Sequence, residues 1–432
     1  MSIGILGGGL VGLVIGSTVG LPNEILEADD RPGGHCRSLI ENGYTFDLGG
    51  PHIIFSRNKE ILARMIGMLG DNAGEQYRNN KILYKGSYLK YPFENGIYDL
   101  EPQERFECLR DFLINKNEVK GGGNFRDFLY ATFGNAITEK YLLPYNEKIW
   151  NVTADQMSDD WAVGRVPVPS PEEMMKTAVG VTTEGAVHQA NFTYPRHGGI
   201  EALPKAFEVN CPSITTNFRV SRVWREADQW CVSDGRETRR YERLVSTIAI
   251  QDLVAALPDV PHEIAARVEA LRHNSLSLVM LGFKSAAPNP STAIYVPDRK
   301  YPFHRLSMPQ NFSDHAVPAG HEAIAAEITT NPGDGFHELD DHALVETVLE
   351  GLEDLRLAQR KDLRFSSVYR TRFAYVIPTF DYQENLAIAL DYIRNLGIIS
   401  CGRNAEFAYI NMDEAIRRGL AVGEALGRQT RL

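Results

Sequence analysis

Ile3-Gly4-Ile5-Leu6 runs directly into Gly7-Gly8-Gly9-Leu10-Val11-Gly12, and this junction narrows the fold more than any other stretch of the chain. The short apolar run reads as a buried strand, and Leu13-Val14-Ile15-Gly16 after the glycines reads as a helix. Strand, G-x-G-x-x-G and helix in that order open a dinucleotide-binding βαβ unit. Each glycine has its own reason. Gly7 makes the tight turn, Gly9 lets the backbone approach a pyrophosphate, and Gly12 lets the helix pack closely on the strand. The helix N-terminus then offers unpaired N–H groups and a positive dipole end to phosphate. A second apolar run, Ile25-Leu26, ends in Glu27, at the spacing of a carboxylate that binds a ribose hydroxyl.

The 432 residues suffice for two or three cored domains. A net charge of −11 gives no basic field for a nucleic-acid backbone. No stretch approaches the ~18 consecutive apolar residues of a membrane-spanning helix, so no membrane insertion is expected. A first strand starting at Ser2 or Ile3 leaves no room for a signal peptide. Cys36, Cys108, Cys211, Cys231 and Cys401 are scattered, odd in number and without a C-x-x-C. That pattern predicts reduced thiols in a cytoplasmic protein, with neither a zinc site nor a disulfide framework.

Periodicity predicts helices over 57–80, 101–118, 125–133, 341–355 and 413–427, with a helix through Thr138–Leu143 that stops near Pro144. Ile82–Leu89 reads as a hairpin turning at Lys85-Gly86. Strands are expected at 215–223, 276–283, 292–296, 322–328 and 366–373, among others.

Several of these segments resemble FAD-dependent amine oxidases and their relatives. Arg31-Pro32-Gly33-Gly34-His35-Cys36-Arg37-Ser38 resembles their second glycine motif. Phe46-Asp47-Leu48-Gly49-Gly50-Pro51-His52 resembles the segment set against the isoalloxazine, and Tyr194–Ile200 the point where the chain re-enters the flavin domain. Val220 falls where relatives make a backbone contact to adenine. The resemblance implies bound FAD and an α/β fold. Its Rossmann-type domain (1–60, 198–272 and 385–432) is interrupted by a helical substrate domain (61–185) and an antiparallel β-sheet domain (186–197 and 273–384). The cofactor contacts implied are Gly7, Gly9, Gly12, Glu27, Gly33, Gly34, Arg37, Ser38, Gly49, Gly50, Val220, Gly402, Arg403, Asn411, Met412 and Asp413.

Within that superfamily most of the chain resembles the UDP-galactopyranose mutases. Gly49–Ser56 is similar to a mutase loop whose histidine (His52) approaches the flavin and whose phenylalanine (Phe55) packs near uracil. Tyr91-Pro92-Phe93-Glu94-Asn95 is similar to a uridine-binding Tyr-Pro-Phe-Gln-Asn, with glutamate in place of glutamine. Pro144-Tyr145-Asn146-Glu147-Lys148-Ile149-Trp150 resembles the Pro-Tyr-Asn-x-x-x-Trp of the nucleotide pocket. Trp161–Val166 resembles a segment that supplies an active-site arginine, here Arg165. Tyr295 and Arg305 resemble a loop tyrosine and a diphosphate-binding arginine, and Tyr375 another phosphate-binding tyrosine. Gly402-Arg403 through Tyr409-Ile410-Asn411-Met412-Asp413 resembles the closing mutase segment. Two further departures are Phe312, where relatives carry a phosphate-binding tyrosine, and Ala408, where they carry arginine.

The residue types suit this chemistry. Arginine gives bidentate, always-charged donors to a diphosphate. Tyrosine adds neutral donors and ring faces for a base. The resemblance implies a nucleotide-sugar substrate and attack of reduced flavin N5 on the anomeric carbon, giving an N5–sugar adduct. The ring reopens and closes as furanose without net redox change, as in galactofuranose supply for cell-surface polysaccharide. His52, Arg165, Arg305, Tyr375, Arg403 and Tyr409 would carry the catalysis, with NAD(P)H as a reductant for activation. A homo-oligomer is compatible with all of this. The alternative is a flavin oxidoreductase of the amine oxidase, protoporphyrinogen oxidase or desaturase type. A flavin-bound subunit without catalysis is a third reading.

Overall fold

A computed structural model describes residues 2–115, 122–162, 166, 168–181 and 191–428. Its centre is a five-stranded, wholly parallel sheet, in the order Ile398–Ser400, Arg243–Ser246, Ile3–Leu6, Asn23–Leu26, Ile214–Thr215. The sheet therefore draws on the beginning, middle and end of the chain. Ile3–Leu6 is central and buried throughout, as a strand covered on both faces must be. The helix Leu10–Thr18 covers it, and the last helix, Met412–Arg428, packs on that helix. Gly419 and Gly423 permit the close approach: a Cβ there would stand 3.0 Å from Val14 Cγ1 and 3.1 Å from Thr18 Cβ. An antiparallel meander (Arg222–Glu226, Gln229–Ser233, Thr238–Tyr241) lies beside the sheet.

A second sheet has seven strands, in the order Leu363–Val376, His273–Lys284, His321–Thr330, Arg305–Ser307, Ala293–Tyr295, Asn80–Tyr84, Ser87–Lys90. All neighbours are antiparallel except Ala293–Tyr295 and Asn80–Tyr84. The last two strands are the anticipated hairpin, with Lys85 (φ 48°) and Gly86 (φ 79°) both left-handed as a two-residue loop of this kind requires. The hairpin falls in sequence within the stretch read as helical, yet it extends this sheet. Its Leu83 is buried among Ile294, Leu306 and Val279.

The helical block contains Pro102–Ile114, Phe125–Ile137, Leu143–Trp150 and Pro171–Ala178, around a core that includes Phe93, Phe125, Phe133, Tyr141 and Trp150. Asn124 caps the second of these by accepting from Asp127 N. Pro144 does not end a helix. A π-helical stretch, Thr138–Leu142, runs on into Leu143–Trp150 with Leu142 and Leu143 still helical, so the helix passes through Pro144.

Two further expectations need correction. The helix predicted over 57–80 is Lys59–Leu69, capped by Asn58; Gly70 at φ 54° turns the chain, and Ala73–Tyr77 pairs with Asn191–Pro195 in a separate two-stranded ribbon. Residues 191–195 therefore pair outside the seven-stranded sheet. The strand expected over 215–223 breaks into Ile214–Thr215 and Arg222–Glu226. Between them Asn217 adopts φ 56°, and Phe218 N donates to Glu27 O, bending the chain around the end of the second strand.

Candidate active site

A cavity of about 490 Å³ lies between the parallel sheet and the long antiparallel sheet. Its floor is the loop of the first βα turn, with Gly9, Leu10 and Val11 facing in beside Gly33 and Gly34. Gly33 N donates to Gly8 O (2.8 Å), which holds the two glycine segments together. A Cβ on Gly12 would fall 2.0 Å from Gly7 O, so packing forbids a side chain there. At Gly9 the nearest atom to an added Cβ is Gly34 Cα, 4.0 Å away. The bare backbone at Gly9 thus faces open space at a helix N-terminus, as a bound pyrophosphate needs. Gly402, at φ 105° and packed against Val11, and Asn411, Met412 and Asp413 at the start of the last helix also line the cavity. Asp413 Oδ2 accepts from Ser56 Oγ (2.7 Å). Two helix N-termini therefore point into one cavity, and both favour negative charge. These residues fit FAD.

His52, Gly49 and Phe55 line the same cavity. His52 Nδ1 donates to Gly50 O (2.7 Å), and burial lowers its pKa to about 4. The ring is neutral near pH 7, with Nε2 available as an acceptor. His35 is alike: burial lowers its pKa to about 3, and Nε2 meets Thr371 Oγ1 at 3.1 Å.

Tyr91, Tyr295, Arg305, Tyr375, Arg403 and Tyr409 occupy the remaining wall. Tyr91 and Tyr295 stack at 4.4 Å between centroids. Arg403 donates to Ile410 O (2.8 Å) and Ala374 O (2.9 Å), with its guanidinium 4.8 Å above the Tyr409 ring. Burial raises the Tyr375 pKa, so its hydroxyl stays a donor. Asn274 fixes Tyr375 from behind. It accepts from Tyr375 N (3.1 Å) and donates to Ile149 O (2.9 Å) and Trp150 O (3.2 Å), tying the helix end to the sheet.

Other sequence-derived candidates stand back from the wall. Glu27 spends its carboxylate on Gly8 N (2.7 Å) and Asp29 N (2.9 Å). Arg37 pairs with Asp29 (2.9 Å) and Tyr369, while its buried Nε has no partner among the described residues. Ser38 donates to Asp47, and Val220 packs against the core cluster around Phe218. Gly7, Gly12 and Gly50 shape the loops without lining the cavity. Phe93 is a core residue stacked on Tyr141 (5.1 Å), with Glu94 and Asn95 buried beside it. Asn146 donates to Leu142 O (2.7 Å), a bond within the helix turn. Tyr145 meets Tyr295 edge-on (5.5 Å), and Trp150 meets Tyr375 (5.9 Å) and Tyr409 (5.6 Å), so both support the lining tyrosines from the second layer. Arg165 lies outside the described residues.

Sequence reading missed two charged groups. Arg78, between two short strands, lines the cavity. Glu327, fully buried, takes both its oxygens to Arg305 Nε and Nη2 (2.6 Å each). Glu327 had a signal in retrospect: a charge inside the apolar run His321–Thr330 needs a partner. No group of three or more His, Cys, Asp or Glu among the described residues could hold a metal, and no described helix is long and apolar enough to cross a membrane.

The fold superposes on reduced UDP-galactopyranose mutase with a TM-score of 0.88, at 24% identity over 98% of this chain and 94% of that one. A protein from Exiguobacterium sp. named provisionally as a protoporphyrinogen oxidase gives 0.77 at 20% identity over 99% of each chain. Putrescine oxidase bound to putrescine gives 0.62 at 13% identity over 98% of each. At such identities the likeness is one of fold. Family membership rests on sequence: residues 17–425 match the description of the flavin-containing amine oxidoreductases. With the double-glycine cradle and the two helix ends that face it, that match makes this chain a member of the flavin-containing amine oxidoreductase family, an enzyme that binds FAD.

Proposed function

We propose that this enzyme is a flavin-dependent mutase that interconverts the pyranose and furanose forms of a nucleotide sugar, UDP-galactose or a close relative. One observation carries the reading: the cofactor cradle and a wall of tyrosines and arginines (Arg78, Arg305, Arg403) share a single cavity. A diphosphate needs charged and neutral donors together, and a base needs ring faces. An oxidase of amines or of apolar substrates needs neither beside its flavin.

When bound and reduced, FAD supplies the nucleophile for the anomeric carbon. The chain's own groups do the rest. Arg403, rigidly held by two backbone carbonyls, faces the leaving diphosphate with the hydroxyls of Tyr375 and Tyr409 and stabilises its charge. Arg165 joins them by its sequence motif. Tyr91, Tyr295 and Phe55 wall the base. Neutral His52 offers Nε2 as an acceptor next to the cofactor cradle. Holding the diphosphate within reach turns its return to the sugar into an intramolecular event. No electron acceptor is required, and NAD(P)H serves for activation alone.

The test uses the purified yellow protein, anaerobic and reduced with dithionite, given UDP-galactopyranose and a panel of other nucleotide sugars. A furanose isomer on chromatography, formed only by reduced enzyme, is the expected result. No isomer from any donor, with oxygen uptake on an amine or a porphyrinogen, overturns the reading.

A further inference from the structure

Arg305 is not a free cation. Its strand neighbour Glu327, 0% exposed, holds it in a bidentate pair, and the pair is neutral as a whole. An anion that docks on the remaining N–H groups of Arg305 adds negative charge beside a carboxylate that must now share its arginine. A buried carboxylate that loses part of its compensation is costly. His304 is the group placed to restore it. It is 1% exposed, with Nε2 3.8 Å from Glu327 Oε2, and neither ring nitrogen has a hydrogen-bond partner among the described residues. The other charged or titratable groups that face it are Arg305 beside it and Lys148 and Tyr145 from the helix Leu143–Trp150. Lys148 Nζ is committed to Val296 O (2.9 Å) and Asp298 O (2.6 Å). In the ligand-free chain burial, Arg305 and Lys148 together keep His304 neutral.

We propose that His304 takes up one proton from solvent when a nucleotide-sugar diphosphate docks on Arg305, so that Glu327 gains a second cationic partner, and returns it when the ligand leaves. The inference rests on the nucleotide-sugar reading above. It makes His304 a positioning residue: it holds Glu327, and through Glu327 the Arg305 fork, and touches no substrate itself. Binding becomes proton-linked, with affinity rising up to about tenfold per pH unit as pH falls through the linked range.

The experiment is calorimetric titration of oxidised holoenzyme, which binds without turnover, with UDP-galactose and the same sugar-nucleotide panel. These diphosphate diesters do not titrate near neutral pH, so proton uptake measured in buffers of differing ionisation enthalpy belongs to the protein. We expect uptake approaching one proton, absent in His304→Asn and His304→Gln, and a pH-dependent KM that flattens in both variants while kcat changes little. Infrared difference spectra of wild-type protein with ring-labelled histidine give a readout independent of the variants, an imidazole-to-imidazolium change on ligand addition. Binding without proton uptake, uptake that persists in the variants, or no imidazolium signal overturns the proposal and leaves the mutase reading intact. No binding by any donor overturns both.

Discussion

Glu94 lies in the short turn Phe93–Asn95, 5% exposed, and burial raises its carboxyl pKa from 4.5 to about 7. A folded pKa above the unfolded one means that the fold favours the neutral acid. Stability is then full below the unfolded value and is lost as pH rises through about 7. Holding this carboxylate ionised in the fold costs on the order of 3 kcal/mol at alkaline pH. Glu94→Gln keeps the shape and cannot ionise. Thermal melts of the two proteins should coincide near pH 4, diverge between about pH 4.5 and 7, and leave the variant melting several degrees higher at pH 8. A difference that stays constant with pH would remove the buried charge as its cause. Glutamate here is readable from sequence only as a departure from a glutamine-bearing motif. It is buried in the same core as Phe93 and Tyr141, and Tyr141 comes from a distant element, which no local pattern announces.

The first βα element separates two demands that one motif carries. Gly12 answers to packing, since its Cβ would strike Gly7 O at 2.0 Å. Gly9 answers to the ligand, since its Cβ would meet nothing nearer than 4.0 Å. Gly12→Ala should therefore fail to give folded protein, while Gly9→Ala should fold with a far-ultraviolet circular dichroism spectrum like that of wild type and purify with little flavin. The flavin-to-protein absorbance ratio and circular dichroism together decide it; full flavin content in Gly9→Ala would mean that the backbone there does not approach the cofactor. This element was legible because turn geometry and helix entry are local, and the same holds for the Lys85-Gly86 hairpin. What was not legible is pairing between distant stretches. Ala73–Tyr77 looks like the tail of a helix until Asn191–Pro195 supplies its ladder, and Arg305 looks like a free phosphate ligand until Glu327 arrives on the neighbouring strand. Pro144 misleads for a related reason, because the helix runs through it after a π-helical stretch that the sequence does not announce.

Across the whole molecule, the cofactor site depends on a chain that leaves the nucleotide-binding sheet and must return to it. Asp47 marks the junction. Its Oδ1 accepts from Ser38 Oγ (2.8 Å) and Ile200 N (3.0 Å), and its Oδ2 from Tyr194 OH (2.8 Å). One carboxylate thus binds the segment before the helical block to the segment after it, two residues from the Gly49 that lines the cavity. Burial raises its pKa to about 6, which leaves it ionised at neutral pH. Asp47→Ala strands these three donors, and the His52 backbone N–H that also favours the charged carboxylate, at about 1–3 kcal/mol for each that stays buried. Asp47→Asn keeps the Oδ1 bonds to Ser38 and Ile200 and loses the acceptor for Tyr194. Melting temperature and flavin retention should both fall in the order wild type, asparagine, alanine, with alanine losing most of its FAD on gel filtration. If alanine and asparagine behave alike, Oδ1 does not hold the return, and the closure of the cofactor domain must come from the apolar packing of Ile200, Leu203 and Phe207 against the first helix.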